Sequence, residues 1–398
     1  SLTPNLGGDA KIDQNTFLLE PVSAENLVNN RNSRNFWCNV KGIGSWSLTG
    51  NAAEALSKKF TEMQDDSEVT AGFMWQKTTR ESKKYQLRGE ILSFIPVEKN
   101  VEVMLVTITN TGRMAQTVTP TAAIPLYGRS ADNIRDHRHV TSLLHRIETT
   151  DIGVLVTPTL SFDERGHQVN HMTYYCVGWS GNGEKPVDFY PTAEDFVGEG
   201  GNFERPYAIV KNAEGVKAGT RIEGLEAVGG LHFSEVTLEP EEECSYLIFT
   251  GITEDIQEIR NLSKTYTTRE MVLEELEKTK AYWQEKVNVA YHTGDSDFNQ
   301  FMHWVSFQPI LRRIYGCSFL PHHDYGKGGR GWRDLWQDCL ALLIMNPDGV
   351  RQMLLDNFAG VRVDGSNATI IGSKQGEFVA DRNHITRVWM DHGVWPMI

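Results

Sequence analysis

The segment Gly331–Asp338, GWRDLWQD, places two indoles, a guanidinium, an amide and two carboxylates within eight residues. On a helix, residues four apart share a face. Trp332 would then lie above Trp336, Arg333 above Gln337 and Asp334 above Asp338. Arg333, Gln337 and the two acids form a polar stripe, with Leu335, Cys339, Leu342 and Leu343 on the buried side. A stripe of that kind between indole walls suits a sugar. Pyranose C–H faces pack on aromatic rings, carboxylates accept from hydroxyls, and arginine donates in a fixed fork. The same residues also fit a structural reading, with the tryptophans in a core, Asp334 as the charge at a helix start, and Arg333–Asp338 as an internal ion pair.

The preceding loop, HHDYGKGGRG (322–331), carries Lys327 and Arg330 among glycines. Glycines let backbone N–H groups approach an anion, and the start of the following helix adds partial positive charge. Lys327 and Arg330 are therefore candidates for binding phosphate. The loop is not a P-loop, since GxxxxGK[ST] is absent, and an ordinary surface loop is the competing reading. His322, His323 and Asp324 are neighbours, which rarely converge on one ion, so no metal is expected. Downstream, DGSN and DRN within 362–396 read as turns that set side chains at a cavity rim. Asp391 and His392 resemble an acid–base pair, although sequence neighbours seldom face one site.

The scaffold for these groups changes character along the chain. Residues 1–255 read as a large antiparallel β-sandwich. VEVMLVTITNTG (101–112) alternates and ends in a turn signal, and 232–252 reads as two strands about Glu239–Cys244 with Pro240 at the turn. Residues 256–292 read as a helical linker. Within it, the stretch 267–288 puts Val272, Leu276, Trp283 and Val287 near one face, and Thr267 or Thr268 with Glu270 supplies a capping box. Residues 293–398 show helical spacing at 298–314, 334–345 and 348–358, with Pro347 expected in the first turn of the last helix. Six tryptophans of ten lie between Trp283 and Trp395. About three core helices do not close a helical core, so the chain is expected to be the N-terminal piece of a longer protein.

Lys and Arg number 39 and Asp and Glu 52, a formal net charge of −13 over 398 residues. That balance argues against a nucleic-acid partner. No run approaches a membrane span, and the first residues show no signal peptide. Five widely spaced cysteines without a CxxC pair read as free thiols, which points to a cytoplasmic protein.

GWRDLWQD resembles the Gly-aromatic-Arg-Asp/Glu…Gln-Asp segment of the inverting disaccharide and oligosaccharide phosphorylases of glycoside hydrolase family 94. ITNTG (108–112) and DFVGEGG (195–201), followed by ERP, resemble the sandwich domain of that family. The resemblance implies a large antiparallel β-sandwich, linker helices and the start of an (α/α)6 barrel. It implies attack of inorganic phosphate on the anomeric carbon of a β-linked gluco-oligosaccharide while a carboxylic acid protonates the leaving oxygen, giving α-glucose 1-phosphate. Arg333 and Asp338 would hold the non-reducing-end sugar, with Trp332 and Gln337 beside them. No cofactor is implied, only phosphate as co-substrate, and a homodimer is the expected assembly. The chain departs from the family pattern twice. The family's Trp-Asn-Asp general acid has no counterpart here, so the acid is expected downstream and these 398 residues alone are expected to be inactive. Cys317 stands where the family often carries a phosphate-binding arginine, a role open to Arg312, Arg313, Lys327 or Arg330. The β-1,2 linkage is the leading expectation. An inverting hydrolase on the same scaffold and a non-catalytic carbohydrate-binding fragment are the alternatives.

Overall fold

The computed structural model describes residues 2–13, 16–22, 31–97, 99–163, 166–315, 330–371, 378–379 and 392–398. These fall into two compact units, Ser1–Lys280 and Ala281–Ile398.

The first unit is built on two antiparallel sheets. The larger orders its strands Arg221–Glu223, Arg146–Thr149, Gly153–Val156, Thr173–Ser180, Glu243–Thr253, Val101–Asn110, Leu87–Phe94, Trp75–Ser82 and Asp66–Gly72. The other orders Asp188–Thr192, Ala227–His232, Gln116–Leu126, Asn35–Val40 and Gly44–Ser47, with Val236–Leu238 also on Gln116–Leu126.

The strand Val101–Asn110 shows why the sheets stack. All ten of its residues are buried, and their two faces serve two cores. Met104, Val106 and Ile108 join the core that also holds Phe36, Val118 and Ile124 of the facing sheet. Val101, Val103 and Leu105 join a second core with Ile259, Leu262, Val272 and Leu276. The linker helices, Ile256–Thr265 and Arg269–Lys286, thus cover the outer face of the sheet. At Gly229 the packing is so close that an added Cβ would stand 2.2 Å from Cys176 Cβ.

The one charge on the inward face of that strand, Glu102, is matched by Arg34. The guanidinium donates from Nε at 2.5 Å and Nη2 at 2.8 Å to the two carboxylate oxygens, and from Nη1 to Gly8 O at 2.8 Å. A buried charge is tolerable only when paired and hydrogen-bonded in this manner.

Two local expectations are corrected. The strands flanking Pro240 do not pair with each other: Val236–Leu238 joins the smaller sheet, whereas Glu243–Thr253 runs through the middle of the larger one. Nor does Pro347 sit in the first turn of the last long helix, because that helix begins only at Val350, behind Gly349 at φ 74°. A left-handed N-cap is a glycine position, and Pro347 lies outside it.

In the second unit, Val287 and Trp283 are buried as their spacing predicts. Trp283 meets Phe307 edge-on at 5.3 Å, on the 20-residue helix Ser296–Tyr315. The helices Trp332–Met345 and Val350–Phe358 follow.

Candidate functional site

The helix Trp332–Met345 begins directly after a two-residue strand, Arg330–Gly331, which pairs with Ile370–Ile371; that strand in turn pairs with Phe378–Val379. Gly331 is the N-cap and offers no side-chain cap; instead Trp332 N donates to Thr369 O at 2.9 Å. The first turn is therefore fixed by a β-ribbon.

The i, i+4 geometry holds. Trp332 and Trp336 meet edge-to-face with centroids 5.5 Å apart. Their environment differs from a sugar platform. Trp332 is wholly enclosed, donates Nε1–H to Asn357 O at 3.0 Å, and packs against His392 at 5.6 Å. Trp336 is 5% exposed and packs edge-on against Phe358 at 4.9 Å. Both indoles belong to a small core with Ala368. The expectation that Trp332 presents a ring to ligand is corrected to a packing role, since contacts from Asn357, Trp336 and His392 leave it no surface.

The polar stripe divides. Asp338 is 3% exposed and gripped by Arg312 of the preceding long helix. Arg312 Nε lies 3.0 Å from Oδ1 and 2.8 Å from Oδ2, and Nη2 also reaches Oδ1. Burial raises the Asp338 carboxyl above its ordinary value, and the Arg312 guanidinium offsets only part of that rise. Arg333 instead donates to Asp334 Oδ1 at 3.3 Å, with both side chains more than a third exposed. The Arg333–Asp338 pairing of the structural reading is thus replaced by Arg312–Asp338. Gln337 is partly exposed.

Of the other candidates, Arg313 reaches Asn346 O and Asp348 O, at the C-terminal end of the Trp332–Met345 helix and just beyond it. His392 is buried, with Nδ1 3.2 Å from Asn367 Oδ1. Lys327, Cys317, His322, His323, Asp324, Asp391 and the Arg330 side chain lie outside the described residues. Among the described residues no cluster of three potential metal ligands occurs, and no helix is long and apolar enough to cross a membrane. Arg312 is the member that local sequence reading could not assign, because its partner lies 26 residues away.

Residues 22–269 match the family described as "Glycosyl hydrolase 94, supersandwich domain". The chain is similar to "Cyclic beta-(1,2)-glucan synthase NdvB" of Rhizobium meliloti (strain 1021), 27% identical over 203 residues, 48% of this chain and 6% of that protein. The chain thus spans a small part of that relative's length. It is similar in fold to a bacterial glucoamylase solved in complex with acarbose, with a TM-score of 0.51 at 10% identity, covering 93% of this chain and 52% of that one. The shared architecture is a large antiparallel sandwich leading into helices that begin an (α/α)6 barrel.

Proposed function

From the premise that this chain belongs to the glycosyl hydrolase 94 family, we propose that its protein catalyses reversible, inverting phosphorolysis of β-linked gluco-oligosaccharides. The products are α-glucose 1-phosphate and a shortened acceptor. The observation that carries the reading is the family match over residues 22–269, taken with the Arg333–Asp338 segment at the head of a pinned helix. The β-1,2 linkage is the substrate we favour, and the name of the synthase relative supports it.

In this scheme Arg333 and Asp338 bind and orient, and proton transfer to the leaving oxygen is assigned to no residue among them. Arg333, partly exposed on the first turn, donates to hydroxyls of the terminal glucose. Asp338 accepts one, with Arg312 opposing the rise that burial imposes on its carboxyl. Both are positioning terms, which act by holding the anomeric carbon in line with the attacking phosphate oxygen. Phosphate serves as nucleophile without a general base, and Lys327 and Arg330 are proposed to assist its binding. The protein works without a cofactor, in the cytoplasm, as a homodimer.

The test is an assay of the whole protein on β-1,2-, β-1,3- and β-1,4-linked glucose oligomers with and without phosphate. Phosphate-dependent release of glucose 1-phosphate from the β-1,2 series is the expected outcome. Free glucose released equally without phosphate would establish a hydrolase instead. Sugar binding with no turnover under either condition would leave only a carbohydrate-binding role.

A further inference from the structure

A β-sheet ends in two edges, and each edge offers unpaired N–H and C=O groups to any strand that can reach it. Among the described residues the two main sheets of the first unit end in Arg221–Glu223, Asp66–Gly72, Asp188–Thr192 and Gly44–Ser47. All but one of these edges are blunted. Arg221–Glu223 is only three residues long. Phe189, in Asp188–Thr192, exchanges N–H···O bonds of 2.9 Å with Val216, which covers that side. On Gly44–Ser47, Ser45 O accepts from Tyr85 Oη at 2.8 Å.

The remaining edge, Asp66–Gly72, is open. Its seven residues, DSEVTAG, include no proline and no lysine, and all but Gly72 are exposed, so neither face of the strand is covered. Its register on Trp75–Ser82 runs from Asp66↔Glu81 to Gly72↔Trp75 without a bulge. Proline, lysine, a bulge or short length commonly protects an edge. The charges it does carry, Asp66 and Glu68, lie on the opposite face from Ser67, Val69 and Ala71.

The hairpin sets the direction of the free backbone groups. Phe73 and Met74 form a two-residue turn, so the flanking Gly72 and Trp75 are a hydrogen-bonded pair. Bonded pairs recur at every second residue, here at Thr70, Glu68 and Asp66. The N–H and C=O groups of Ser67, Val69 and Ala71 therefore point away from the sheet, and no described hydrogen bond takes them.

This strand is complementary to itself. A second copy laid antiparallel about a twofold axis through Val69 sets Ser67 opposite the partner's Ala71 and Val69 opposite the partner's Val69. These are the outward-bonding positions, so the pairing makes about six hydrogen bonds. On the other face Glu68 lies opposite the partner's Thr70 and Asp66 opposite the partner's Gly72, so no acid directly faces an acid. An axis through Glu68 would oppose two carboxylates, and an axis through Thr70 would make only about four bonds. The ends of the strand add apolar surface. The chain enters it from a segment in which Phe60 is 91% and Met63 69% exposed. Phe60 holds φ 67°, unusual for a bulky residue. The Asp66 end of one copy meets the Phe73–Met74 turn of the other, and the twofold repeats that meeting.

We propose that Asp66–Gly72 is the interface between two copies of this chain, which pair edge to edge and join their nine-stranded sheets into one. The inference rests on the homodimer of the proposed function and gives it a location; it does not depend on the reaction.

The experiment is analytical ultracentrifugation of the whole protein over a dilution series, comparing wild type with two variants. The wild type is expected to dimerise. The Val69 N–H points outward, so Val69→Pro breaks no bond within the chain but removes a donor from each copy. It should weaken the dimer at least about tenfold and leave the thermal midpoint of the monomer unchanged. Val69→Lys keeps every backbone group and sets two ammonium groups opposite each other on the axis, so it should weaken the dimer as well; it keeps the test decisive should the proline variant misfold. A wild type that stays monomeric throughout overturns the proposal, as does a dimer that survives in either folded variant. Glucose 1-phosphate release is assayed on the same samples. A dimer sensitive to Val69 in a protein without turnover supports this inference and fails only the proposed reaction.

Discussion

The Arg312–Asp338 fork makes an asymmetric prediction about stability. The two side chains are 31% and 4% exposed. Removing Asp338 leaves a guanidinium that can turn to water, so Asp338→Ala should cost about 1–2 kcal/mol. Removing Arg312 leaves a carboxylate with almost no access to solvent, so Arg312→Ala should cost about 3–5 kcal/mol at pH 7. The pH dependence follows from the sign of the shift. Burial already raises the Asp338 carboxyl, and Arg312 opposes that rise. An acid whose folded-state pKa is raised favours the fold while protonated and loses that advantage as pH climbs past the ordinary carboxylate range. Without Arg312 the carboxyl rises further, so the deficit of Arg312→Ala should grow between about pH 5 and pH 7. Urea unfolding of the second unit, followed by near-ultraviolet dichroism of the Trp332–Trp336 pair, reads both variants and the double mutant. An Arg312→Ala protein no less stable than Asp338→Ala, or a deficit equal at both pH values, would refute the reasoning.

Trp332→Ala should cost about 3–5 kcal/mol of unfolding free energy, as expected for an enclosed ring, with sugar affinity of the folded fraction unchanged; a selective loss of affinity in isothermal titration would count against its packing role. Gly229→Ala should lower stability by about 1–3 kcal/mol through overpacking against Cys176, read as a fall in the thermal midpoint of the first unit. Glu54 titrates at about 2: burial alone would raise it, but hydrogen bonds from Lys58, Lys84 and Tyr85 outweigh that. Its contribution to stability is present above the ordinary carboxylate range and lost as pH falls toward about 2. Lys84→Ala should move its carbon-13 titration upward; an unmoved midpoint would disprove the coupling.

The sequence makes those features legible that repeat over one element. Period-two alternation marks Val101–Asn110 as a strand, and the 272, 276, 283, 287 spacing marks the helix Arg269–Lys286, with those four positions buried although Val287 falls just past its end. What is not legible depends on partners distant in sequence. Nothing local says that both faces of Val101–Asn110 are covered, because the cover comes from Ile259 and Leu276, far along the chain. Nor does a turn at Pro240 say that its two strands enter different sheets. At the site, the helix and the Trp332–Trp336 contact follow from i, i+4 geometry. The exposure of Trp332 does not, since Asn357 and His392 set it.

The partner of Asp338 decides how the Arg333–Asp338 segment can meet a sugar. A carboxylate offers roughly four lone-pair positions, and one guanidinium already makes three contacts with this one. Asp338 therefore has capacity for about one hydroxyl, not for the pair of hydroxyls that an unpaired carboxylate could hold. Arg312 in turn opposes the rise that burial imposes on the carboxyl and fixes the plane of its oxygens. Arg333 is differently placed, since its half-buried guanidinium makes a long contact with Asp334, and a partly exposed ion pair of that kind is worth little. In the proposed sugar-binding role, the discriminating power of the segment would lie in the rigid Asp338 and its adaptability in Arg333. Loosening Asp338 through Arg312 should therefore harm the alignment of bound sugar more than its affinity, lowering kcat of the whole protein more than it raises KM.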